Sequence, residues 1–159
     1  MRILSSLLFV CLIFAHPVSA QTTTAPAAEL PEGVPAVEFQ SVRVTMTTSN
    51  GEYPMLLELA TTPAQAQRGL MYRPDLPDDY GMLFVMPQER VQAFWMQNTL
   101  SPLDIIYINT DNTVVSIAKG EPLDTTSLPS QGPAKFVFEI RQGLADVYGI
   151  KSGTKLTFE

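Results

Sequence analysis

Between residues 37 and 159 the chain is interrupted by glycine, proline or Asn/Asp turn signals about every 8–12 residues, and this spacing limits its fold more than any other feature. Segments this short rule out long helices and leave a succession of strands. Val42, Val44 and Met46 alternate with polar neighbours, which predicts a half-buried strand over 37–48. Asn50 and Gly51 form the dipeptide that best fits a tight hairpin turn, and the return strand is expected over 53–60. Thr62, Pro63 and Gln65 then supply an N-cap, a first-turn proline and a capping-box partner for a helix reaching about Leu70. Further strands are predicted over 82–86, stopped by Pro87, and over 93–97, 103–109, 114–118, 135–141 and 154–158. Residues 120–133 read as a long aperiodic loop, and residues 144–148 as one helical turn ended by Gly149. Only one helix is long enough to cross between parallel strands, so a parallel α/β sheet is not expected. The expected fold is mainly β, an antiparallel β sandwich or partly open barrel with one short helix and one helical turn.

The chain begins with Met1 and Arg2, an apolar run to Ala15, and Val18 and Ala20 at the −3 and −1 positions of a cleavage site. These are the parts of a secretory signal peptide, expected to occupy residues 1–20. The apolar run is shorter than the ~20 residues that span a bilayer, so no membrane span is expected after cleavage. Cys11 suggests a lipoprotein signal, but Val10 precedes it where a small residue is needed. Residues 21–36 are rich in Thr, Ala and Pro and are expected to form a flexible tether, leaving one domain over 37–159.

Cleavage removes the only cysteine, Cys11, and the only histidine, His16. It also removes Arg2, so Lys+Arg falls from 10 to 9 against 16 acids and the net charge moves from −6 to −7. An exported chain of this acidity is a poor partner for nucleic acid or anionic lipid, since neither would release counterions on contact. Without imidazole or thiol it has no Ser-His-Asp or Cys-His arrangement, no thiol redox centre and no usual zinc site. No glycine-rich phosphate loop follows a strand, and no cofactor is expected.

Several phrases are shared with one family. These are Glu58-Leu59-Ala60, the QRGLM of residues 67–71, Gly81-Met82-Leu83-Phe84-Val85, and Phe94-Trp95-Met96 with Asn98-Thr99. Pro102-Leu103-Asp104-Ile105, Pro133-Ala134-Lys135 and Gly149-Ile150 with Gly153 continue the series. Over residues 42–158 the chain resembles the small prokaryotic domains called domain of unknown function 192. The resemblance implies a compact β-rich domain, frequently exported, and implies no activity. Two positions depart from the family pattern: Gln97 stands where a basic residue is usual, and Thr154 where an acid is usual.

Four groups of residues remain as candidates. Asp104 lies in a run with apolar neighbours on both faces, where a carboxylate needs a partner; Arg68, Arg73, Asn98 and Thr99 are the expected ones. These residues, floored by Trp95, read either as a pocket for a small polyhydroxylated or anionic ligand, or as a buried ion pair that pins the helix on the sheet. Glu139 reads as a solvated strand residue or a partner for Arg141 or Lys135. If it approached Asp104, the two would form the acid–base pair of a glycosidase, which needs carboxyls ~5–9 Å apart. Met82, Met86 and Met96 are thioethers suited to monovalent copper, although methionine is ordinary core filler. The acidic loop 75–81 lacks the spacing of a calcium loop, and no metal site is expected. The function these readings favour is non-catalytic: an exported, periplasmic or secreted domain that binds a small polar ligand or an envelope partner. The alternatives are a carbohydrate-active enzyme built on Asp104 and Glu139, or a purely structural interaction module.

Overall fold

The computed structural model describes residues 25–159. The predicted leader, with Cys11 and His16, and the first residues of the predicted tether lie outside them. The elements in chain order are β1 (Gln40–Thr48), β2 (Gly51–Ala60), α1 (Pro63–Arg68), β3 (Tyr80–Arg90), β4 (Ala93–Phe94), β5 (Leu103–Ile108), β6 (Val114–Gly120), β7 (Leu128–Pro129), β8 (Ala134–Arg141), α2 (Leu144–Val147) and β9 (Thr157–Phe158). Seven strands form one curled, half-barrel sheet in the order β6-β5-β8-β3-β2-β1-β9, and β4 pairs with β7 in a separate ribbon. The expected β-rich architecture with one short helix and one helical turn is what forms.

Local chemistry accounts for the start of the sheet. Thr48 pairs with Gly51 across the hairpin, and the Thr48 hydroxyl accepts from the Asn50 N–H at 3.0 Å to close the turn. At α1 the predicted capping box is complete: Gln65 N–H donates to the Thr62 hydroxyl at 3.2 Å, and Thr62 N–H donates to the Gln65 side chain at 3.1 Å. The helix stops at Arg68, short of the predicted end, because Gly69 takes φ 47° and ψ −137°, a conformation only glycine adopts readily.

Three departures have physical causes. The β2 and β3 strands pair parallel, Leu56 with Tyr80 through Ala60 with Phe84, and α1 is the crossover between them. Every other strand pair is antiparallel. Pro87 does not end β3, because it falls within a register shift between Val85 and Arg90 where no ladder bond requires its N–H. Lys135 Nζ donates to the carbonyls of Met86 at 2.7 Å and Pro87 at 3.1 Å across this gap. Residues 120–133 are not wholly aperiodic: they carry β7, which pairs with a β4 shorter than predicted.

Both faces of the sheet are covered. One face packs Met46, Leu57, Phe138, Ile140 and Leu156 with α2; the other packs Tyr80, Met82, Phe84, Ile105 and Tyr107 beneath the segments around α1. All six residues of β5 are buried, as its uninterrupted apolar run predicts. Residues 25–36 contain no helix or strand, yet they run along the domain: Glu29 N–H donates to Tyr72 O at 2.7 Å and Arg68 to Pro35 O at 2.7 Å. No helix among the described residues is long and apolar enough to cross a membrane.

Candidate functional site

Asp104 is fully buried, but its partners are not those expected. Its carboxylate accepts from the backbone N–H groups of Gly143 and Ala145, both at 2.9 Å, and from Lys119 Nζ at 2.7 Å. It therefore caps the first turn of α2, whose own N-cap, Gly143, offers no side chain. Asp104 pins a helix on the sheet through these N–H bonds, with α2 in place of α1, and its ion-pair partner is Lys119 on the neighbouring strand in place of Arg68 or Arg73.

Glu139 is buried as well, so neither the solvated strand residue nor the partner of Arg141 or Lys135 is what forms. Burial alone pushes its carboxyl up to about 8, with no hydrogen bond or ion pair among the described residues to offset it. Asp104 pairs with Ile140, whereas Glu139 pairs with Ile105 and Met82, which sets the two carboxyls on opposite faces of the sheet. The glycosidase pair is thereby removed.

Arg73 lies beside a different acid. It forms a 2.8 Å ion pair with Glu58 and donates to the Tyr80 hydroxyl, which in turn donates to Glu58 at 3.0 Å. Among the described residues the Arg73 Nε has no partner and is sealed from solvent, an arrangement that costs about 1–3 kcal/mol. Burial pushes the Tyr80 hydroxyl well up, so it stays protonated and serves as the donor in this chain of bonds. Of the methionines, Met82 and Met96 are buried in the core and Met86 packs against it. No group of three or more His, Cys, Asp or Glu among the described residues is placed to hold a metal.

The remaining candidates converge. Arg68, Asn98 and Trp95 line one cleft of about 350 Å³, together with Tyr72, Gln67 and Gln97. That volume lies at the small end of ligand sites. Trp95 is 50 % exposed, so it is a wall of this cleft and not a core residue. Tyr72 and Asn98 both take left-handed backbone, with φ 65° and 56°, and Tyr72 N–H donates to Asn98 O at 2.8 Å. Left-handed backbone is accessible to Asn but costly for Tyr, so the link stores strain at the cleft. The Arg68 guanidinium lies 5.6 Å from the centre of the Tyr72 ring. Pro35 and Val37, from the segment along the domain, complete the wall. Arg73 is absent from this cleft and instead lines a neighbouring cavity of about 300 Å³, shared with Arg68, Met71 and Glu58.

Residues 44–158 match the profile of DUF192, described as Uncharacterized ACR. The chain belongs to this family. A solved structure of a protein of unknown function from Novosphingobium aromaticivorans DSM 12444 is 41 % identical, with a TM-score of 0.70 over 84 % of this chain and 93 % of that one. Another, from Sinorhizobium meliloti 1021 and described as a proposed transcription regulator, is 32 % identical, with a TM-score of 0.72 over 78 % of this chain and 98 % of that one. No curated protein matches the chain.

Proposed function

We propose that this DUF192 domain is exported after cleavage near Ala20 and binds a small polyhydroxylated ligand, without catalysis, in the cleft of Trp95, Arg68, Tyr72 and Asn98. The observation that carries the reading is the half-exposed indole of Trp95 in a cleft that also holds a guanidinium and three side-chain amides. An aromatic face takes the apolar side of a sugar ring, and amides match hydroxyls in donors and acceptors. None of the cleft residues is an acid, which leaves no carboxylate there to serve as a general acid or base. Regulation of transcription is not carried over from the Sinorhizobium description, since a net charge of −6, or −7 after cleavage, opposes contact with phosphates. The test is a thermal-shift screen of the purified protein against sugars and sugar acids, with Trp95→Ala alongside. A ligand at 100 times its Kd raises stability by ~2.7 kcal/mol, and the variant should fold normally yet lose the response. Unchanged responses in Trp95→Ala would refute the site.

A further inference from the structure

Taking the proposed cleft as the binding site, we infer that its ligand is a sugar acid, a hydroxylated ring bearing a carboxylate, and that Arg68 receives the carboxylate. The charge balance around Arg68 carries this step. Three of the chain's basic side chains, Arg73, Lys119 and Arg141, are in ion pairs with acids; Arg68, like Arg90, Lys135, Lys151 and Lys155, is in none among the described residues, and of these it is the one that lines the cleft. Its hydrogen bond goes to the carbonyl of Pro35, through one terminal nitrogen. A guanidinium has five N–H donors in a planar fork that matches a carboxylate in geometry, so among the described residues most of the Arg68 donors are unused.

Position makes this open capacity a binding group. Arg68 ends α1 and lines both the cleft of Trp95 and the adjoining cavity, whose other cation, Arg73, is already matched by Glu58. Among the described residues no acid therefore pairs with Arg68 in this space, in a protein whose total is −6, or −7 once the predicted leader is removed. The protein as a whole repels anions, so an anion drawn to this place is held by local contacts. The Arg68 guanidinium is steadied over the Tyr72 ring, and Tyr72 is locked to Asn98, which reduces the ordering needed on binding. With the carboxylate on Arg68, the ring lies against Trp95 and its hydroxyls reach Gln97 and Asn98. A neutral sugar makes the same contacts except the first.

The experiment compares matched pairs by calorimetry: glucose with glucuronate, and galactose with galacturonate, against the protein, Arg68→Gln and Trp95→Ala. At least one acid should bind about tenfold or more tightly than its neutral partner, as a charge-assisted bond provides. Arg68→Gln should erase the difference while leaving the weaker binding common to both, and added salt should reduce it in the unmodified protein. Trp95→Ala should weaken acid and neutral sugar alike. Equal affinity for acid and neutral partner, or a preference that survives Arg68→Gln, would overturn the inference and leave the proposed cleft standing. Binding of none of the four sugars overturns the inference and the proposed function together.

Discussion

Replacing Glu139 by glutamine should remove a loss of stability that grows as pH rises. Glu139 sits on the covered face between Met82 and Ile105, and its Oε2 lies 4.0 Å from where a Cβ on Gly69 would be. Its carboxyl is pushed from 4.5 to about 8 by burial. In the unfolded chain the group ionises through the ordinary range, whereas in the folded chain it keeps its proton until about pH 8. Between those values the folded state binds the extra proton, so stability falls as pH rises. The loss is absent below about pH 4.5 and complete above about pH 8. At ~1.4 kcal/mol per pH unit the cost reaches about 3 kcal/mol at pH 7 and about 4 kcal/mol at pH 8. Glutamine keeps the shape and cannot ionise, and at pH 4.5 it buries a neutral group much as protonated Glu139 does. Urea titrations at pH 4.5, 6, 7 and 8 should therefore show nearly equal stabilities at the acid end and a variant that is increasingly the more stable towards pH 8. Taking the difference between the two proteins removes the contribution of every other carboxyl. Parallel curves, or a Glu139 carboxyl signal in ¹³C NMR that titrates near pH 4.5, would refute the argument.

Two other substitutions test the framework around the cleft. Gly69→Ala should destabilise by about 1–3 kcal/mol in urea unfolding, because alanine is strained at φ 47° and its Cβ would press on the Phe84 ring at 3.4 Å. Equal stability would mean that α1 can end differently. Asp104→Ala should cost about 2–3 kcal/mol by leaving the Gly143 and Ala145 N–H groups without a partner, while the half-exposed Lys119 returns to water at little cost. Hydrogen exchange should then speed up in α2 before the rest of the sheet, and uniform acceleration would count against the capping role.

What could be read from the chain was local. The Thr62–Gln65 capping box and the apolar run of β5 depend on neighbours a few residues away, and both form as read. The parallel pairing of β2 with β3 depends on where α1 delivers the chain, which no periodicity within either strand encodes. Pro87 misled because a proline forbids a ladder bond only where one would have formed. The candidate residues divide along the same line. Asp104 was correctly read as needing partners, but those partners come from β6 and the start of α2, 15 and 39 residues further along the chain. The same reasoning applied to Glu58, an acid inside the apolar run Met55-Leu56-Leu57-Glu58-Leu59-Ala60, would have exposed the Arg73 pair. Tyr72 carried no signal, since its left-handed backbone follows from the link to Asn98 and not from its own preference.

Apart from α1, which carries Gln67 and Arg68, the cleft is built from segments that have no regular structure of their own, and the buried polar groups explain how they are held. Arg73 ties the chain after α1 to β2 through Glu58 and to β3 through Tyr80. Its backbone carbonyl accepts from the Ser101 hydroxyl at 3.2 Å, which joins that loop to the end of the segment carrying Trp95 and Asn98. Breaking a buried pair such as Arg73–Glu58 typically costs about 3–5 kcal/mol, so the loop is held far more firmly than its lack of helix or strand implies. The walls that carry Arg68, Tyr72 and Asn98 are consequently fixed before any ligand arrives. The Pro35 wall is different in kind, because it rests on exposed contacts from Arg68 and from Gln65, whose side chain donates to Glu38 O at 2.8 Å.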